Sequence, residues 1–199
     1  MYSRITTAPA VEPITLTEVK RHLRIKYDDA DTHNELTLLI QAAREHIEFL
    51  TGRALVQQTR TINYAQWPAS GVFELPYAPL QSVTKIDYTD VEGTTTTFST
   101  ANYSVDTGSE PGRIVLGYNK TWPTSTLHPE DLPIEIEYVC GYAPTTDSPP
   151  DYRYNIPEAL KIAIKFEIEL RYDRPMPDYA DQLKKAIQSL IINYRDHTL

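Results

Sequence analysis

The chain has 199 residues, 41% of them hydrophobic and 23% charged, with a formal net charge of −8. That length buries a proper core as one domain or one and a half, and the composition is that of a globular protein. No apolar run approaches the roughly 18 residues of a transmembrane helix, and the opening Met1-Tyr-Ser-Arg-Ile-Thr-Thr7 has no apolar signal-peptide stretch. The charge is unevenly placed: residues 53–152 hold 12 Asp and Glu against 5 Lys and Arg. An acidic surface repels phosphate backbones, which speaks against sequence-specific DNA binding but not against DNA passing nearby.

Residues 1–13 read as extended, because Pro9 and Pro13 discourage a helix there. A first helix is predicted over 15–24, opened by a capping box of Thr15 and Glu18. An acidic turn, Asp28-Asp-Ala-Asp31, leads to a second helix over 32–51, with Thr32 and Glu35 repeating the capping pattern. Leu36, Leu39, Ile40, Ala43, Ile47 and Leu50 recur at helical spacing, and Gly52 supplies the positive φ that ends the helix.

From Leu55 to Tyr142 short β-branched and aromatic runs alternate with Pro, Gly and Asp turns, which predicts strands at 59–64, 72–75, 83–88, 94–98, 103–105, 113–116 and 134–142. Hairpin turns fall at Val91-Glu92-Gly93 and between Gly108 and Gly112. Thr94 to Thr97 reads as a solvent-edge strand, and Ala143 to Asp151 as an exposed linker. Ile156-Pro157-Glu158 opens a helix that runs to about Tyr172, is apolar on most sides, and is therefore expected to be buried all round. Pro175 and Pro177 break it, and Asp178 starts a last amphipathic helix with Tyr179, Leu183, Ile187, Leu190, Ile191 and Tyr194 on one face.

A reaction centre is hard to find. His22, His33, His46, His128 and His197 form no HExxH motif or close pair, and zinc-ligand spacing is absent, so no metal site is expected. His22 and His46 fall on polar helix sides, where solvation is the default. No GxSxG, Walker or GxGxxG loop occurs, so no cofactor or catalytic residue is expected. Glu135 and Glu137 alternate with Ile134, Ile136 and Tyr138 as the wet face of a half-buried strand. Cys140 ends that run as an ordinary buried residue, with no partner for an internal disulfide, which suits a reducing cytoplasm. Trp67 and Trp122, each before a proline, read as anchors of the sheet domain; a carbohydrate-stacking role is the sharper alternative. The 14 tyrosines divide between interface area and core.

The helix Ile14-Thr-Leu-Thr-Glu-Val-Lys-Arg-His-Leu-Arg-Ile25, the acidic turn, and the helix ending in Phe49-Leu-Thr-Gly-Arg-Ala-Leu55 resemble the head–tail connector (adaptor) proteins of long-tailed phages and prophages. So do the segments Leu75-Pro-Tyr-Ala-Pro-Leu80, Asp106-Thr-Gly-Ser-Glu-Pro-Gly112 and the helix opened by Ile156-Pro-Glu-Ala-Leu160. The architecture expected is α+β, a helical bundle from residues 1–53 and 146–199 with an antiparallel β domain, 54–145, inserted.

The resemblance implies a non-enzymatic adaptor of the virion neck, assembled in the host cytoplasm. It would bind the portal as a ring of about twelve copies, receive a stopper or tail-completion protein, and let DNA through without specific binding. It also implies that the C-terminal segment reaches the portal, with Asp178, Leu183, Ile187, Leu190, Ile191, Tyr194 and Arg195 as candidate contacts. Leu36, Ile40, Ile47, Ile164 and Phe166 are candidates for contacts between subunits. A carbohydrate- or protein-binding β module of a phage virion is the alternative function.

Overall fold

The computed structural model describes residues 2–26, 29–129, 132–173 and 175–195, without the side chain at position 2. Asp28 of the acidic turn and the last four residues of the C-terminal segment lie outside them. The order of elements is β1 (Tyr2–Thr7), α1 (Leu16–His22), α2 (Ala30–Thr51), β2 (Gln58–Tyr64), β3 (Val72–Leu75), β4 (Leu80–Thr89), β5 (Thr95–Thr97), β6 (Tyr103–Asp106), β7 (Gly112–Leu116), β8 (Ile134–Cys140), α3 (Glu158–Tyr172) and α4 (Pro177–Ile191). The fold is α+β and divides into two compact units. Met1–Ala10 with Gln57–Gly141 carries the strands, and Val11–Val56 with Tyr142–His197 carries the helices.

The first ten residues therefore differ from the extended lead-in assigned to the N-terminal helical part. Tyr2–Thr7 is strand β1, paired antiparallel with β2. Tyr, Ile and Thr favour a pleated ribbon, but the partner strand lies some fifty residues away in sequence, beyond any local signal.

In the β unit, five strands form one antiparallel sheet in the order β1-β2-β8-β4-β5, and three form a second in the order β3-β7-β6. The two hairpins read from the turn residues are present, as β4 with β5 and β6 with β7. β8 is the middle strand of the larger sheet and alternates strictly. Ile134, Ile136, Tyr138 and Cys140 are buried, while Glu135, Glu137 and Val139 are half-buried on the other face. Its register sets Ile136 between Ile62 and Ile86, stacking three isoleucines across three strands.

In the helical unit the capping box forms as read. The Thr15 hydroxyl accepts the Glu18 N–H at 3.2 Å, and the Glu18 carboxylate accepts the Thr15 N–H at 2.7 Å. Helix α2, however, starts at Ala30 with Asp29 as its cap, not at Thr32. Asp29 Oδ1 accepts the Thr32 N–H at 2.7 Å and Oδ2 accepts the Thr32 hydroxyl at 2.8 Å. A full carboxylate charge at the positive end of the helix outcompetes a hydroxyl for that role. Gly52 closes the helix at φ 68°, as its position predicts.

Helix α3 is not apolar-buried all round. Leu160, Ala163, Ile164, Glu167 and Ile168 are buried on one side, while Ile162 on the other is exposed. Packing against α2 and α4 covers a single stripe, and Lys161, Lys165 and Glu169 occupy the remainder. The core of the unit joins Ile14, Val19, Leu36, Ile40, Ala43, Ile47, Leu55, Ile156, Leu160, Ile164, Ile168, Ile187 and Ile191.

Candidate functional site

Several charged groups of the helical unit are tied to one another across its helices. Arg44 is buried in α2, its guanidinium 2.8 Å from Glu12 Oε2, 3.1 Å from Glu48 Oε2 and 3.5 Å from Glu45. Glu48 is buried as well and accepts the Leu55 N–H at 2.8 Å, so one carboxylate ties the end of α2 to the chain that follows it. Burial alone would lower the Arg44 pKa, but Glu48, Glu12 and Glu45 outweigh it and hold the guanidinium above its ordinary value. Glu167 on α3 is the second buried carboxylate, 2.6 Å from Arg171 Nη2 and 2.9 Å from His46 Nδ1. Beside it Glu169 meets His22 Nε2 at 2.8 Å and accepts the Tyr179 hydroxyl at 2.7 Å. His22 and His46, read as solvated, therefore link α1 and α2 to α3, because the helix faces that look polar in sequence meet across the packing seam.

The same holds in the β unit. Lys85 Nζ lies 2.6 Å from Asp87 Oδ2 and 3.8 Å from Glu135, which also meets Arg4 at 3.4 Å. Burial pushes the Asp87 carboxyl up, but the Lys85 and Thr97 hydrogen bonds pull it further down, below the ordinary carboxylate range. Glu18, Asp29 and Asp106 are also displaced downward. A general acid needs a carboxyl displaced the other way, and none of these provides it. Among the described residues no group of three His, Cys, Asp or Glu is placed to hold a metal ion, and no helix is long and apolar enough to cross a membrane.

Trp67 and Trp122 stack on each other at 4.9 Å between centroids, and both meet Phe73 and Phe98 edge-on or tilted at 5.3–6.0 Å. Trp122 Nε1 donates to the Pro68 carbonyl at 3.1 Å. Each indole covers one face of the other, both remain half-buried, and Trp122 lines a surface pocket with Tyr88, Phe98 and Asn102.

The residues singled out for assembly fall into two sets. Leu36, Ile40, Ile47 and Ile164 are buried inside the helical unit itself, and Phe166 is partly buried with its ring 6.0 Å from that of His22. Leu183, Ile187 and Ile191 of α4 are buried against the same unit, with Leu190 and Tyr194 partly so. The apolar stripe of the C-terminal helix is thus docked at home. Asp178 is exposed, and Arg195 is half-buried and donates to Gln188.

Sequence reading missed the buried Arg44, Glu48 and Glu167. A signal existed: Ile40, Arg44, Ile47 and Glu48 share one arc of α2, and Arg44 and Glu48 are an i, i+4 pair of opposite sign inside that apolar stripe. It also missed the outer face of α2, where Leu38 is 68% and Phe49 78% exposed.

Two antiparallel sheets and a four-helix unit with paired buried charges make up this α+β fold. Residues 13–108 are similar to the phage gp6-like head-tail connector family. No curated protein matches the sequence. Among solved structures the chain is similar to one from the virion of a native gene transfer agent particle, with 20% identity over 98% of this chain and 95% of that one and a TM-score of 0.74. It is equally similar to a chain of the neck of the empty particle, in C6 symmetry. The neck of the native particle in C12 symmetry gives a TM-score of 0.72 at the same identity and coverage. At that identity the likeness is one of fold.

Proposed function

We propose that the chain is a non-enzymatic head–tail connector whose copies, about twelve, close into a ring in a virion neck. The ring binds the portal, extends the DNA channel and receives a stopper or tail-completion protein. The observation that carries this reading is the fold likeness over 98% of the chain to chains of particle necks solved with C12 and C6 symmetry, joined to the match of residues 13–108 to the head-tail connector family. In this reading the helical unit is a small bundle and the β unit an insertion within it. The C-terminal segment makes the portal contact, and the sheet unit leaves passing DNA unbound. The chain is made in the host cytoplasm and stays a monomer or weak oligomer until it meets the portal, since premature rings would compete with capsid completion.

The test is the mass, by light scattering, of the full chain alone and mixed with a portal ring. A small species alone and a portal complex carrying about twelve copies is the expected result. A chain that remains free in the mixture would overturn the proposal.

A further inference from the structure

The outer face of α2 carries two large apolar side chains in water, Leu38 and Phe49. They lie about three helical turns and 16 Å apart and point nearly the same way, since eleven residues bring an α-helix round to almost its starting angle. Half-buried Ala42 and exposed Glu45 sit between them on that face. Single exposed apolar residues are ordinary on protein surfaces, but two aligned on a helix of known boundaries form a ridge. Around them the exposed ionisable groups are Asp31, Glu35 and Glu45, with no Lys or Arg exposed on this helix; its one arginine, Arg44, is buried among Glu12, Glu45 and Glu48.

This charge pattern selects the occupant. Nucleic acid and anionic lipid are repelled by it. A two-fold contact of the face with itself would bring two copies of the same acidic set, Asp31, Glu35 and Glu45, onto one interface, which is unfavourable for like charges. A contact between this face and a different face of a second copy avoids that clash, and it is the kind of contact that generates a closed ring. We infer that the Leu38–Phe49 face of α2 docks on a non-equivalent surface of the neighbouring copy of this chain. The inference rests on the ring proposed above and adds the surface that makes it. A strip three turns long buries only a few hundred Å² per copy, below the roughly 800 Å² per partner of a standard stable interface. The contact is therefore weak between two free copies and holds when many are lined up on a template.

The first experiment places the photo-crosslinker p-benzoylphenylalanine at position 49 of the full chain and irradiates the complex with a portal ring. The expected product joins position 49 to a second copy at a peptide outside residues 31–49. A crosslink to the portal, a crosslink to residues 31–49 of the second copy, or no crosslink between chains would each overturn the inference. The second experiment uses the Leu38→Asp, Phe49→Asp double variant, judged folded by its helical circular dichroism. Loss of the ring-sized species is expected, and a ring of unchanged mass would overturn it. A wild-type chain that forms no ring on the portal defeats the ring reading itself. A ring that survives the double variant defeats only the α2 contact.

Discussion

Replacing Arg44 by Met is the sharpest test of how the helical unit is held together. The substitution keeps the length and apolar stem of the side chain and removes the guanidinium that lies 2.8 Å from Glu12 and 3.1 Å from Glu48. Glu12 is partly exposed and turns to water at little cost. Glu48, with only 5% of its side chain exposed, loses a cation in the core. Breaking one side of a buried pair costs about 3–5 kcal/mol, and the lower end applies because the Leu55 N–H still holds Oε1. About 3 kcal/mol corresponds to a fall in Tm of roughly 6–12 °C for a chain of this size. Adding Glu48→Gln keeps the acceptor for Leu55 and removes the buried charge. The double variant should then be more stable than the sum of the two single losses by at least about 1 kcal/mol. Urea titrations of the four proteins supply these numbers. An Arg44→Met cost below about 1 kcal/mol, or strict additivity in the cycle, would refute the claim that Arg44 neutralises a core carboxylate.

The capping box makes a pH prediction. Burial raises the Glu18 pKa, but the Thr15 N–H, the Thr15 hydroxyl and Lys165 lower it more, so the folded value lies below the unfolded 4.5. A depressed carboxyl adds stability above the unfolded pKa and loses it as pH falls through the folded one; Thr15→Ala should cost about 1 kcal/mol near neutrality and flatten the stability profile below about pH 4.5, measured by thermal unfolding. Gly112 in β7 has no room for a side chain, because a Cβ there would lie 2.3 Å from Leu80 Cβ. Gly112→Ala should destabilise the β unit by about 1–3 kcal/mol in chemical unfolding, with wild-type stability as the refuting result.

The parts of the fold legible in sequence are those whose causes are local. The Thr15–Glu18 box, the Gly52 stop, the two hairpin turns and the alternation of β8 each need only a few neighbouring residues to explain them. The parts that were not legible depend on distant partners. β1 exists because β2 offers it an edge. Ile162 is exposed because α3 meets neighbours on one side only. His22 and His46 pair because Glu169 and Glu167 come to them across a helix seam. The assembly residues show the same division. Periodicity finds an apolar face, but it does not say whether the chain's own helices or another copy will cover it. For Leu36, Ile40, Ile47 and Ile164 the chain's own core does.

That distinction bears on how the C-terminal helix can meet a portal. Burying Leu183, Ile187 and Ile191 is worth about 1.5–3 kcal/mol for each side chain, so pulling α4 away from the unit would forfeit roughly 5–9 kcal/mol. A domain of this kind has a total stability of only about 5–15 kcal/mol, and a partner that captured the stripe would have to offset most of it. A partner that reads the outward side of α4 would offset none. Asp178, Lys184, Lys185 and Ile192 are exposed there, with Lys184 held 3.2 Å from Asp181. The inward stripe then acts on portal binding at one remove, by fixing the helix in place so that its outer residues are presented in a set order. Substitutions in the stripe and on the outer side therefore differ in kind. The first loosen the helical unit with or without a portal present, and the second leave the fold intact and act on the contact alone.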